Sequence, residues 1–167
     1  MSDSPTEDFS GEEAGIECIR AGFQNLIGAR LLRYETAELQ YDDGTWGAWH
    51  DMPIRLFTDA GDIVSISWSK FDELWIANDL SLPFPLMGMT VRWVENRVDS
   101  INLALGATIQ SAMLGQNEYY AEDFAFEMWT RLVIQVGDGW LEVFNAGDEN
   151  GYAYHDSKPS GTFKSCR

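Results

Sequence analysis

Lysine is scarce in this chain. Only Lys70, Lys158 and Lys164 occur, and all 11 Lys and Arg together face 27 acids, leaving a formal charge of −16 and a pI near 4.2. A chain this poor in bases lacks the footprint that neutralises phosphates, so direct nucleic-acid binding is not expected. The same shortage argues against docking on anionic lipid, which needs clustered Lys and Arg. Cysteine and histidine are almost as rare, with two of each: Cys18 and Cys166, His50 and His155. No CxxC or HExxH spacing exists, so neither a metal nor a cofactor is expected. The cysteines could close a long loop, but one partly buried thiol and one free thiol in a mobile tail is the expectation for a reducing compartment. No run of about 18 apolar residues and no basic start followed by an apolar stretch is present, which reads as a soluble, cytoplasmic protein. Catalytic signatures are missing too: there is no G-x-S-x-G elbow, no phosphate-cradling Gly-rich loop and no kinase or dinucleotide fingerprint.

What is abundant is apolar and aromatic surface, at 45% and 13% of residues, enough to build a core in a chain of 167. Residues 1–12 read as a flexible acidic leader, 13–156 as a single globular domain and 157–167 as a polar tail. Ser10 is a plausible helix cap, and Ile16, Ile19, Phe23 and Leu26 recur at helical spacing, so a helix is predicted over 12–26, with Gly28 just beyond it. After Gly28 the pattern turns to strands. Ile54–Phe57 and Ile63–Trp68 flank Asp59-Ala60-Gly61-Asp62 as a hairpin, with Val64, Ile66 and Trp68 on one face and Ser65 and Ser67 on the other. Such alternation predicts a sheet covered on one side. Leu80–Met89, with Pro83 and Pro85, reads as a connector. Leu132–Val136 and Trp140–Phe144 make a second hairpin, whereas Tyr119–Trp129 fits a strand and a helix equally well. The fold class expected is α+β, mainly antiparallel β-sheet with an N-terminal helix.

A candidate internal repeat would divide the domain into pseudo-symmetric halves, 14–80 and 90–156. At an offset of 76, Arg55 falls on Arg131, Gly61 on Gly137 and Asp72-Glu73 on Asp148-Glu149. Upstream the offset drifts to 78, where Gly28-Ala29 falls on Gly106-Ala107. One feature resists the match: at 76, inward-facing Ile66 falls on Glu142.

Function must be read from distribution rather than from a motif. Asp148-Glu149-Asn150-Gly151 has the composition of a calcium loop without its spacing, and a turn is the plainer reading. His50 and Asp51, beside Trp46 and Trp49, would point to opposite faces of a strand and so form no dyad. Seven tryptophans and many acids admit a small hydrolase or ligand-binding module with carboxylates in an aromatic cleft. The leading expectation is different: a non-enzymatic protein that captures a basic protein partner, with acids steering the encounter and aromatics holding the complex. The acids and aromatics expected near hairpin ends, Asp42, Asp43, Trp46, Trp49, Asp59, Asp62, Asp72 and Glu73, are the candidate partner-binding residues. Small, acidic, Trp-rich chains without catalytic motifs are similar in general character to bacterial immunity proteins, which neutralise cationic toxins such as nucleases. The likeness is one of composition and carries over no residue. A third expectation is self-association, with a second copy covering the aromatic face.

Overall fold

The computed structural model describes residues 11–167; Ser10 and most of the segment read as an acidic leader lie outside the described residues. Helix α1 spans Gly11–Phe23, with Glu12 and Glu13 in its first turn and Arg20 in its last, charges that complement the helix dipole. It ends at Phe23, three residues before Leu26, because the chain breaks into turns on the way to Gly28, whose φ of 93° suits glycine. Ile19, Phe23 and Leu26 are buried, each worth about 1.5–3 kcal/mol of transfer free energy.

Two antiparallel sheets follow. The first contains β1 (Leu31–Gln40), β2 (Trp46–Ala48), β3 (Ile54–Thr58), β4 (Ile63–Trp68) and β5 (Leu74–Ala77), in the order β2-β1-β3-β4-β5, with β6 (Val91–Glu95) also paired to β1 along Glu35–Leu39. After the short helix α2 (Asp99–Asn102), the second contains β7 (Ile109–Ala121), β8 (Phe124–Val136), β9 (Gly139–Asn145), β10 (Asn150–His155) and β11 (Phe163–Ser165), in the order β10-β9-β8-β7-β11. One apolar cluster draws on both sheets and both helices, from Ile19 and Tyr34 through Trp68 and Ile101 to Leu132 and Val143. Among the described residues no helix is long and apolar enough to cross a membrane.

The two sheets repeat each other in register. Leu31 pairs with Thr58 as Ile109 pairs with Val136, a spacing of 78 on both strands, and each ladder shifts register at the next step, Leu31/Arg33 and Ile109/Ser111. Ile54 pairs with Ile66 as Leu132 pairs with Val143, which shortens the spacing of the next strand to 77; Ile66 with Ile76 against Val143 with Tyr152 shortens it again to 76. Register therefore sets Ile66 against Val143, and the clash with Glu142 disappears. It also makes Val133, not Arg131, the counterpart of Arg55. Each half closes with a strand returning to its first, β6 to β1 and β11 to β7. The halves meet at the bridge between Arg30 and Thr108, where Gly28 N–H donates to Ile109 O (2.8 Å) and Gly106 N–H donates to Leu31 O (2.7 Å).

Two expectations change. Ser65 and Ser67 are buried rather than exposed, because the first sheet is covered on both sides: the segment after β5 crosses its outer face to reach β6, and the hydroxyls donate to Asp79 O (2.7 Å) and Asp51 O (3.2 Å). Residues 157–167, expected as a polar tail with a mobile thiol, carry β11 and buried Cys166, held by Arg131, whose guanidinium lies 4.8 Å from the Phe163 ring and donates to Ser160 O (3.1 Å). Tyr119–Trp129, which fits strand and helix alike in sequence, runs from the end of β7 through a turn at Glu122-Asp123 into β8. Both cysteines are free thiols; burial raises the Cys18 pKa and pushes the Cys166 thiol up to about 11.

Candidate functional site

The β4–β5 turn, the residue just ahead of β3's approach, the covering segment and the β9–β10 turn converge on a cleft of about 550 Å³. Its acids are Asp51, Glu73 and Asp148, and its aromatic walls include Trp75 and Phe84. Asp51 accepts a hydrogen bond from Trp49 Nε1 (3.1 Å), and the Trp49 ring meets Phe84 edge-on at 6.0 Å, so this tryptophan braces an acid and a wall together. Glu73 accepts from Ser69 Oγ (2.9 Å). Asp148 sits at φ 68°, a left-handed turn conformation fixed by its N–H donating to Asn145 Oδ1 (2.8 Å). Asn145 in turn donates to Ser69 O (2.9 Å) and Phe71 O (2.6 Å), tying the two cleft-forming turns to each other.

The charge in the cleft is uncompensated. Among the described residues every ion pair lies elsewhere, and none includes Asp51, Glu73 or Asp148. Three arginines are committed to structural work: Arg55 lies 3.5 Å over the Trp93 ring and donates to Leu80 O (2.9 Å), Arg92 lies over Trp46 and binds Glu38, and Arg131 grips Glu142 at 2.7 Å. Burial raises the proton affinity of Glu142, but hydrogen bonds and charge from Arg131 and His155 outweigh it and hold its pKa low.

The eight predicted residues do not form one site. Glu73 lines the cleft and Trp49 supports it. Asp72, beside Glu73, lies instead against Gly11 at the start of α1. Asp42, Asp43 and Trp46 belong to the β1–β2 hairpin at the far edge of the sheet, and Asp59 and Asp62 to the β3–β4 turn at its opposite end. Two of these acids have structural partners: Asp43 accepts from Thr45 Oγ1 (2.6 Å) and N (2.9 Å), and Asp59 accepts from Arg30 N (2.9 Å). Both have pKa values below the usual carboxylate range for those reasons. Asp51, Trp75, Phe84 and Asp148 were not singled out as partner-binding residues. The only signal for Asp148 was its calcium-like turn, and Phe84 was hidden in a segment legible only as a connector.

His50 faces a different cavity of about 560 Å³, where its ring meets Tyr152 at 5.6 Å and its Nδ1 is buried without a hydrogen-bond partner. Asp51 lines the first cleft and not this one, so the two make no dyad. Burial raises the Tyr152 pKa, keeping it a neutral phenol. Among the described residues no group of three or more His, Cys, Asp and Glu could hold a metal ion.

No family model, curated protein or solved structure matches the chain. The functional reading therefore rests on this chain's own chemistry.

Proposed function

We propose that the protein is a non-enzymatic binding protein that captures a basic protein partner, with the cleft between the β4–β5 and β9–β10 turns receiving the partner's cationic side chains. The observation that carries the reading is the convergence of Asp51, Glu73 and Asp148, free of any ion pair among the described residues, between Trp75 and Phe84. Carboxylates and aromatic faces both attract guanidinium and ammonium groups, by charge and by the ring quadrupole. A molecule of charge −16 adds long-range steering toward such a partner. A cationic toxin, blocked as an immunity protein blocks it, is the partner class to which the composition points, with the cytoplasm as the setting.

The competing reading, a hydrolase or ligand module, requires a carboxyl with raised proton affinity in its cleft. Affinity capture from native host cells, run in parallel with wild type and the Asp51→Asn/Glu73→Gln/Asp148→Asn variant, tests the proposal. The expected result is a basic protein retained by wild type, released by salt, and retained about 10- to 100-fold less by the variant. Equal retention by both proteins contradicts it.

A further inference from the structure

β7 and β8 are the longest strands, and they outrun their sheet. β11 pairs with β7 at Met113–Gly115, Gln116 N–H still donates to Thr162 O (2.9 Å), and β9 pairs with β8 only from Arg131 onward, so the ladder from Asn117/Met128 to Ala121/Phe124 stands as a two-stranded ribbon with both outer edges unpaired among the described residues. Its two faces differ. The pairs Tyr119↔Phe126 and Ala121↔Phe124 place Tyr119, Phe124 and Phe126 on one face, with ring centroids 5.9 Å apart for Tyr119–Phe126 and 5.8 Å for Phe124–Phe126. On the other face Glu118 sits directly opposite Glu127, beside Tyr120, which is 78% exposed.

Both features cost the isolated molecule something. Phe124 is 64% exposed, and like charges directly across a ladder destabilise it. Proteins usually protect an open edge with lysine, proline or a bulge within it. From Gln116 to Thr130 there is no lysine, arginine or proline, and the bulge at Thr130 lies at the base of the ribbon; along the ribbon itself the protection is acidic, from Glu118, Glu122, Asp123 and Glu127. A guard of one sign repels a second copy of this chain, which would bring the same four charges. It attracts a strand of the opposite sign.

We propose that this ribbon is a second docking surface, on which an extended, lysine- or arginine-bearing segment of a basic protein adds as a strand, its cationic side chains meeting Glu118 and Glu127 and its apolar ones the Tyr119–Phe124–Phe126 face. The proposal rests on the capture reading and extends it from a cleft that receives side chains to an edge that receives backbone.

Nitrogen-15 NMR titration of the full chain at low salt, with a ten-residue peptide alternating lysine and valine, tests it; a peptide alternating glutamate and valine is the control. The expected result is shifted amides over residues 117–129 with the lysine peptide alone, and at least a tenfold weaker effect in Glu118→Gln/Glu127→Gln. Undiminished ribbon shifts in that variant, or equal shifts with the glutamate peptide, overturn the charge basis. Shifts confined to residues around Asp51, Glu73 and Asp148 overturn the ribbon while leaving the capture reading intact. No shifts anywhere overturn the ribbon, and the cleft is then judged by the parallel affinity capture. A dimer at micromolar concentration that Phe124→Asn abolishes overturns the choice of occupant.

Discussion

Asn150 is 2% exposed, and its side chain serves backbone groups of the other sheet: Oδ1 accepts from Trp68 N (2.8 Å) while Nδ2 donates to Ile66 O (2.9 Å). Asn150→Ala leaves that buried N–H and C=O without partners, at about 2–4 kcal/mol, which urea unfolding will show as a lower midpoint. Glu142 makes the complementary case with charge. Its folded pKa is depressed, so its contribution is complete above the ordinary glutamate value of 4.5 and is lost as pH falls through the lower folded value. Glu142→Gln, which leaves Arg131 without its carboxylate, is expected to cost about 3 kcal/mol at pH 7. The difference between wild type and variant narrows as pH drops below 4.5; a gap that stays constant to pH 2 contradicts the assignment. Neither role was visible in sequence. Asn150 reads as turn chemistry and Glu142 as an outward residue on an alternating strand, because only the pairing of β9 with β8 and β10 brings Arg131 and His155 to that carboxylate.

At the scale of elements, what the sequence showed well was whatever one strand or helix decides by itself. Ile16, Ile19 and Phe23 marked α1, and the two hairpins around Gly61 and Gly137 were legible from alternation and turn residues. What failed depended on a distant cover. Ser65 and Ser67 read as solvent-facing because nothing in β4 announces that residues 78–90 will cross over them. β11 was missed because Phe163–Ser165 is three residues long and finds its place only through Arg131 and β7. The ribbon was ambiguous because alternation and helical spacing coincide at Phe124 and Met128. Since it buries no member of the shared core, replacing residues 117–128 by an Asn-Gly turn is expected to leave the chain folded, with a thermal midpoint within a few degrees of wild type. A collapse of more than about 10 °C in differential scanning calorimetry would show that the ribbon supports the fold.

For the molecule as a whole, net charge is the clearest signal in the sequence, and the proposal of a basic partner rests on it, while it carries no information about a place of contact. Turn position and aromatic type mark Glu73 and Trp49 as candidates in the sequence; nothing in it joins Asp148 to Glu73, because only tertiary packing through Asn145 brings those two turns together. The same packing gives the central claim its sharpest test. With the captured basic partner purified, stopped-flow association rates should be measured from low to high sodium chloride for wild type and for Asp51→Asn/Glu73→Gln/Asp148→Asn. Steered capture in the cleft predicts a wild-type rate that falls about 10- to 1,000-fold as salt rises, and a variant that starts slower and falls less. A rate indifferent to salt, or a variant that tracks wild type at every concentration, contradicts it.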